Sequence, residues 1–421
     1  MKKKFKLSLV VFMMIASVMI GSEYQVFAVD EKETNDEQIQ KDLYEEYLYN
    51  KYYYDEEKDD FSGVSTENNN INENNLIATQ SQGTNETIKK LNASKLDCEY
   101  KIINLKINRV IQKTYIGAKY LYFIQRDGTT LYLSRCLLPD KGITVDASEA
   151  KMMTLNNFGH SQVLEYFEYN NVPYFWIGCK ASDEIDSLQT GKSYNWSTQI
   201  ARVKFEAGKT INYTEAKRLS SVSYASANGT SIGPVRRVEA ALSSNKKYLL
   251  VWCRTYKIGY ATENSVKKIQ RSNYKTRFTI YDAEKVNDAL EKSQTNYLGC
   301  NSDKIKDAYI TSFTYKVGDG SLGVLRYGSN QGLEINNYKQ IFVASESRKD
   351  GESQGKFIRK INSSGSVMKT IEITGNKMGE GSKTELEGLQ ILSGKMHFAV
   401  KDYTQTGNIH YIYNVESSVF D

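Results

Sequence analysis

The sequence predicts an all-β fold, most simply a β-propeller of about five blades and at most seven, and three observations favour it. Short segments rich in Tyr, Phe, Val and Ile recur from Leu96 to the C-terminus, separated by turn residues. The 421 residues include only three prolines, so these segments are almost uninterrupted. They are also too numerous for one ordinary sandwich, whereas small sheets repeated around an axis bury both faces of every sheet.

The first 28 residues predict a signal peptide. Lysines precede an apolar run from Leu7 to Ile20, which is short for a membrane span, and Ala28 ends the segment with a small residue suited to cleavage. We therefore expect cleavage after Ala28 and a secreted protein. An uncleaved membrane anchor is the alternative, although Ser17 interrupts the run and no basic stop-transfer flank follows.

Residues 29–95 predict a disordered acidic leader, and residues 96–421 the propeller domain. Residues 30–95 carry a net charge of −9 and are rich in Asn and Tyr, a composition that cannot bury enough apolar surface to fold. The tyrosines could instead form a segment that associates with the wall or docks on the body. Residues 96–421 carry a net charge of +11. An exported basic body favours anionic partners, and an indifferent basic surface is the alternative.

Turn residues predict the individual hairpins. One hairpin is expected around Asp127-Gly128 and another around Asn170-Asn171, and two later ones lie in KFIRKIN-SSG-SVMKTIEI and LQIL-SG-KMHFAV. The segment DAEKVNDALEKS, residues 282–293, predicts the one clear helix.

The five cysteines predict neither a disulfide framework nor a zinc site. They lie far apart in a chain large enough to build its own core, and no CxxC pair occurs. Cys136, Cys179 and Cys253 stand in apolar runs, where a cysteine usually behaves as a small buried side chain.

A weak internal repeat supports the propeller. An apolar residue followed by Glu recurs in QVLEYF, RRVEAAL, QGLEINN and TELEGLQ, at Glu165, Glu239, Glu334 and Glu387. If these residues lie on inner strands, the carboxylates converge toward the axis, where they could bind a sugar or a cation, or cleave a glycosidic bond as an acid and nucleophile pair. The favoured alternative is architectural, with each Glu accepting hydrogen bonds from a neighbouring blade or from Arg202 or Arg237, because crowded like charges cost stability.

His160 and Trp196 are further candidates for a binding site. His160 has no stereotyped nucleophile, carboxylate or metal partner in the sequence, so a structural role at the turn into a blade is favoured over catalysis. His397 and His410 stand within strands and are expected to be packed. Trp196, in the polar stretch SYNWSTQIARV, is the tryptophan most suited to ligand contact, since aromatic rings stack on sugar faces.

Six motifs, in this order, resemble the helveticin J family of large bacteriocins: GHSQVLEYF, YFWIGCK, NWSTQIARV, RVEAALSSNKKYLLV, RFTIYDAEKVNDAL and ELEGLQIL. The resemblance covers most of residues 96–421, with least to match before about Phe158 and between 300 and 380. It implies an exported, heat-labile antibacterial protein with a propeller-like body that kills related bacteria. The signal peptide and the acidic leader depart from the family's pattern.

The sequence therefore predicts a secreted bacteriocin that binds a cell-envelope polymer or glycan of Gram-positive competitors, with a membrane surface as a further partner. We expect a binding protein rather than an enzyme, with no cofactor, metal or nucleic acid, because HExxH, GxSxG and P-loop motifs are absent and the lysines are scattered. Two alternatives stay open: a non-lethal lectin or adhesin, and a muralytic glycosidase that uses the repeated glutamates.

Overall fold

The computed structural model describes residues 88–182, 194–263, 266–316, 329–375, 377–405 and 408–421. The predicted signal peptide, and the predicted acidic leader up to residue 87, lie outside the described residues. The described part of the chain is nearly all β-structure and forms five sheets.

Each sheet contains four consecutive antiparallel strands, named here from the axis outward. Blade one comprises β3 (Ile111–Ile116), β4 (Tyr120–Asp127), β5 (Thr130–Leu137) and β7 (Lys151–Asn156). Blade two comprises β8 (Glu165–Tyr169), β9 (Val172–Ala181), β10 (Ser197–Val203) and β12 (Lys217–Ser220). Blade three comprises β13 (Val235–Leu242), β14 (Tyr248–Glu263), β15 (Val266–Asp282) and β17 (Tyr309–Lys316). Blade four comprises β18 (Ser329–Ile335), β19 (Ile341–Lys349), β20 (Glu352–Ile361) and β21 (Val367–Thr374). Blade five comprises β22 (Thr384–Leu392), β23 (Lys395–Asp402), β24 (His410–Glu416) and β2 (Asp97–Ile103).

The arrangement is a five-bladed β-propeller, as the sequence predicted. Five separate apolar clusters hold it together, and each lies between two neighbouring blades. Trp176 of blade two packs with Val238 of blade three, for example, and Phe123 of blade one packs with Ile412 of blade five. The ring closes in blade five, where β2 from the start of the described chain pairs with β24 near its end.

Four blades carry a fifth, parallel strand at the outer edge, and this strand comes from a segment of the following blade. These edge strands are β1 (Ile88–Asn92) on β21, β6 (Thr144–Asp146) on β2, β11 (Thr210–Asn212) on β7 and β16 (Tyr297–Gly299) on β12. In the described ranges, β17 of blade three has no such strand. A blade-to-blade edge strand ties neighbours together and covers unpaired backbone groups that would otherwise invite aggregation.

The edge strand β1 corrects the predicted boundary between leader and propeller. Residues 88–95 were assigned to the disordered leader, but Ile88–Asn92 pairs with blade four and Leu91 is buried in the core between blades four and five. Its sequence, IKKLN, is too short and too polar to predict a strand by itself; the pairing with β21 supplies the stability that the composition lacks.

The predicted hairpins and the predicted helix are confirmed. Asp127 pairs with Thr130 across a two-residue turn, and Asn170 and Asn171 both adopt left-handed backbone conformations, as a tight hairpin turn requires. Helix α1 (Ala283–Glu291) follows β15, and the Asp282 side chain accepts a hydrogen bond from the Lys285 amide at its start. A second short helix, α2, spans Asp303–Lys306.

Helices and cysteines in the described part of the chain add two further findings. None of these helices has both the length and the apolar character needed to cross a bilayer. All five cysteines are unpaired, and the three predicted to be buried, Cys136, Cys179 and Cys253, are buried.

Candidate functional site

Three of the four repeated glutamates occupy matching places on inner strands. Glu165, Glu239 and Glu334 lie on β8, β13 and β18, and each stands opposite an aromatic residue of the second strand, respectively Trp176, Trp252 and Phe342. Glu387, on the inner strand β22, stands opposite Ala399 and directly before a β-bulge at Gly388, so it is not in the equivalent register. All four carboxyl side chains are at most 3% exposed.

Lys113, which the sequence did not single out, joins two of these carboxylates at the axis. It lies on the inner strand β3 and is 1% exposed. Its Nζ is 2.9 Å from Glu165 Oε1 and 3.1 Å from Glu334 Oε1, so one ammonium bridges blades two and four. A Cβ on Gly388 would come within 2.6 Å of the Lys113 side chain, and the positive φ of Gly388 also favours glycine there.

Arg237 holds the remaining two glutamates together. It forms a buried ion pair with Glu239 and donates to Gln162 Oε1 at 2.5 Å and to the Asn330 carbonyl at 2.8 Å. The Asn330 amide in turn donates to Glu239 Oε2 at 3.0 Å, and the Gln162 amide donates to Glu387 Oε2 at 3.0 Å. These residues link blades two, three, four and five.

We call this set the axial cluster: Lys113, Gln162, Glu165, Arg237, Glu239, Asn330, Glu334 and Glu387.

Burial sets the protonation of the axial cluster. Burial works against the ammonium of Lys113, but the two carboxylates outweigh it and hold the pKa of Lys113 above its usual range. Burial raises the pKa of Glu334 to about 8, aided by the neighbouring Glu165 and opposed by Lys113. Burial and then the Glu385 charge hold the pKa of Glu387 well above its usual range. One Lys113 between two carboxyls is therefore close to electroneutral when Glu334 retains its proton.

His160 and Trp196 cap the axial cluster at the face where the five inner strands begin, here called the upper face. Their rings stack at a centroid distance of 3.8 Å, and His160 Nε2 lies 2.5 Å from Gln112 Oε1. The Arg237 guanidinium lies 3.7 Å from the Trp196 ring centre. Two groups this close cannot share one face of a ring, so His160 and Arg237 cover opposite faces of Trp196.

This stack changes what His160 and Trp196 can do. Burial, followed by the charges of Arg126 and Arg237, holds the pKa of His160 well below its usual range, so its ring is neutral. Both faces of Trp196 are covered, which leaves its edge rather than a flat surface for a sugar. The exposed aromatic side chain beside it is Tyr194, which is 40% exposed and which the sequence did not single out.

Arg202 does not join the other predicted site residues. It lies on the third strand of blade two, where it pairs with Glu291 of helix α1 and packs against the rings of Tyr169 and Tyr174. The sequence offered Arg202 and Arg237 equally as partners of the glutamates; Arg237 has that place, and Arg202 instead anchors the helix of blade three on blade two. His397 and His410 are packed, as expected.

The arrangement is suited to holding five blades together rather than to chemistry on a substrate. A glycosidase needs a pair of carboxyl groups that a sugar can reach, whereas these carboxyls are buried and paired within the protein. The described residues also contain no group of His, Cys, Asp and Glu side chains that could hold a metal ion. The sequence missed Lys113, Gln162 and Asn330 because a polar residue within a strand predicts a solvent-facing position unless the neighbouring strands are known.

Comparison with solved structures finds distant similarity. An exo-β-1,3-galactanase from Clostridium thermocellum is 9% identical over 76% of this chain and 62% of that one, with a TM-score of 0.39. A second exo-β-1,3-galactanase, from Phanerochaete chrysosporium, is 7% identical over 61% of this chain and 60% of that one, with a TM-score of 0.26. The WD40 domain of Toxoplasma gondii coronin is 11% identical over 76% and 74%, with a TM-score of 0.29. The chain spans about three fifths of the length of the two galactanases, and similarity this distant carries no argument about activity.

Comparison by sequence is more decisive. No curated protein matches the chain. The family model described as bacteriocin helveticin-J matches residues 79–418, which include every blade. This match agrees with the six motifs and extends the resemblance to the edge strand β1. The chain belongs to the helveticin J family of bacteriocins.

Proposed function

We propose that this protein is a secreted bacteriocin that binds the envelope of competing Gram-positive bacteria and kills them. Membership of the helveticin J family is the observation that carries the proposal. The net charge of +11 on residues 96–421 supports an anionic envelope component as the target.

The buried axial cluster favours binding over hydrolysis. All four repeated glutamates are at most 3% exposed and have partners from other blades, so a wall glycan has no carboxylate pair to enter between. A muralytic role would require the ring to open and to expose these charges, at the cost of its own ion pairs. The contacts with an envelope polymer are therefore expected on the loops and rims of the blades.

We place the envelope contact on the upper face, around Tyr194 and the exposed edge of Trp196. Tyr194 stands beside the axis, and the Arg126 side chain donates to its carbonyl oxygen at 2.8 Å, which adds a positive charge at the same place. An exposed tyrosine next to a guanidinium suits a glycan that carries acidic groups, because the ring offers a stacking surface and the charge attracts the acid.

The first test separates killing from binding. Purified protein beginning at residue 29 is added to growing cells of a panel of Gram-positive bacteria, and viability, lysis and cell association are measured separately. Loss of viability in at least one species supports the proposal. Cell association without any loss of viability would instead identify a lectin or adhesin, and neither association nor killing in any species would reject both.

The second test addresses the place of binding and the rival enzymatic function. Tyr194→Ala is expected to weaken cell association about tenfold, since a stacked aromatic contributes on the order of 1–1.5 kcal/mol. Tyr338→Ala is the matched control, because Tyr338 is 82% exposed but lies at the opposite end of an inner strand. Equal loss in both variants would refute the assignment to the upper face. Dye release from purified cell walls that disappears in Glu165→Gln would favour the muralytic function.

A further inference from the structure

Blade three carries a two-stranded extension that leaves the propeller at the upper face. Strand β14 pairs with β13 only as far as Thr255, and β15 pairs with β17 only from Lys275 onward. Beyond these points β14 and β15 continue as a hairpin, pairing from Tyr256 with Asn273 to Glu263 with Val266. We call Tyr256–Glu263 and Val266–Asn273 the arm. In the part of the chain that the structure describes, its two strands pair only with each other.

The arm begins at a break in the sheet. The pairing shifts between Arg254 and Tyr256, so that the β15 strand has an extra residue at this point. The Thr255 hydroxyl bonds both the amide and the carbonyl of Lys275 and thereby fixes the irregularity. A bulge of this kind bends a strand and redirects the residues beyond it. Eight residues per strand, at about 3.3 Å each, give the arm a length of roughly 26 Å.

The register sorts the arm residues onto two faces. Residues that pair across a hairpin share a face, and successive residues alternate between faces. One face therefore holds Ile258 with Arg271, Tyr260 with Ile269 and Thr262 with Lys267. The other face holds Lys257, Gly259, Ala261, Lys268 and mostly polar partners. Apolar residues thus lie at the middle of the first face, and a basic residue lies toward each of its ends.

The charge of the arm is strongly positive for its size. Its strands contain four basic residues, Lys257, Lys267, Lys268 and Arg271, against the single acid Glu263. A strand face with an apolar centre and basic ends is complementary to a surface that is apolar beneath and anionic at its boundary. A lipid bilayer rich in anionic headgroups has this character, whereas an anionic wall polymer offers no hydrocarbon for Ile258, Tyr260 and Ile269.

We propose that the arm docks on the anionic lipid surface of the target cell, with the Ile258–Tyr260–Ile269 face at the headgroup boundary. This inference rests on the proposed function and supplies its membrane step: the upper face holds the envelope contact, and the arm, which leaves from the same face, reaches the bilayer.

Vesicle binding tests the proposal directly. The whole secreted chain is mixed with vesicles of phosphatidylglycerol and phosphatidylcholine, or of phosphatidylcholine alone, and bound protein is measured by sedimentation at low and high salt. We expect at least tenfold tighter binding to the anionic vesicles, weakened by salt. Equal binding to the two compositions would overturn the proposal.

Three variants assign the binding to the arm. The first replaces Lys257–Ser272 by Asn-Gly, so that Tyr256 and Asn273 flank a tight turn. The second, Lys267→Gln/Lys268→Gln/Arg271→Gln, removes three charges, and we expect binding to anionic vesicles about a hundredfold weaker. The third, Ile258→Ser/Tyr260→Ser/Ile269→Ser, keeps the charge and removes the apolar face, and we expect about tenfold weaker binding or more.

Matched controls separate the arm from general charge and from folding. Lys151→Gln/Lys209→Gln/Lys304→Gln removes the same charge from exposed positions on other segments and is expected to bind as the unaltered protein does. Unfolding midpoints confirm that each variant is folded. If the variant with the shortened arm binds anionic vesicles undiminished, or if the arm variants lose binding to purified wall polymer but not to vesicles, the proposal fails.

The killing assay distinguishes this proposal from the proposed function. Killing by the unaltered protein that is lost in the shortened-arm variant supports both. Killing that persists in that variant refutes the role of the arm and leaves the bacteriocin function standing. Absence of killing by the unaltered protein refutes the proposed function, and vesicle binding then decides the arm alone.

Discussion

Replacing Lys113 by methionine removes the ammonium that bridges two buried carboxyls while keeping most of the side-chain volume. In the native protein Lys113 contacts both Glu165 and Glu334, and all three side chains are at most 4% exposed. Because burial raises the pKa of Glu334 to about 8, Glu334 already carries a proton at pH 7.5. Without Lys113, Glu165 must take up a second proton or remain as an unpaired buried charge.

The cost arises from that proton. The ordinary pKa of a glutamate is 4.5, and holding a proton at pH 7.5, about three units higher, costs about 4 kcal/mol at 1.36 kcal/mol per unit. This agrees with the 3–5 kcal/mol typical of breaking a buried pair by removing one partner. At pH 5.5 the same proton costs only about 1.4 kcal/mol. The variant should therefore be least stable at high pH and recover as the pH falls.

Urea unfolding at pH 5.5 and 7.5, followed by tryptophan fluorescence, measures both values. Lys113→Met/Glu165→Gln should regain most of the loss at pH 7.5, because the carboxyl that needs the extra proton is gone. Lys209→Met is the surface control: its partner Glu206 is 42% exposed, and we expect a change within about 0.5 kcal/mol at either pH. A deficit that is equal at the two pH values, or a double variant no more stable than Lys113→Met, would refute the assignment of protons.

Three further predictions concern pH and the closure of the ring. The folded pKa of Glu334 lies above its unfolded value, so folding takes up a proton and stability falls as the pH rises from about 4.5 to about 8; Glu334→Gln should flatten a urea-midpoint profile over that range. Burial lowers the pKa of His410 to about 3, and its Nε2 accepts the Ile111 amide at 3.0 Å. Stability should therefore fall as the pH drops from about 6.5 toward 3, and His410→Leu should remove this slope while costing about 1–3 kcal/mol at neutral pH for the unpaired amide; an unchanged acid limb would contradict this. Leu91→Ala in β1 should cost about 2–4 kcal/mol in the same assay, whereas Lys90→Ala, at an exposed neighbour, should cost less than about 0.5 kcal/mol; equal effects would mean that β1 does not hold blade four.

The fold was predictable because its signals are local. The Asn170-Asn171 turn, the Ser393-Gly394 turn and the helix after β15 each depend on a few neighbouring residues with defined backbone preferences. The blade number followed from the chain length and the strand density. The edge strands were not predictable in the same way, since segments of three to five residues such as Thr144–Asp146 form strands only because a neighbouring blade supplies the partner.

The candidate site was predictable only in part. The repeat identified the four glutamates because the same local pattern recurs on the inner strands, but it placed Glu387 in register with the others, and the bulge at Gly388 displaces it. The sequence could not identify Lys113 as their partner, because the contact joins residues more than fifty positions apart. Trp196 was singled out for its polar surroundings, and its stacking between His160 and Arg237 depends on strands that are distant in the sequence.

Blade three differs from its neighbours in ways that bear on function. It carries the arm and the helical insertion, and in the described ranges it has no fifth strand at its outer edge. The insertion nevertheless contributes β16 to blade two, and the core of blade three is as buried as the others. Because the arm makes its strand pairs only within itself among the described residues, it can change without loosening the ring. The shortened-arm variant should therefore keep the unfolding midpoint of the unaltered protein, whereas Lys113→Met should lower it, and a binding defect in the first variant would then be a property of the arm and not of the fold.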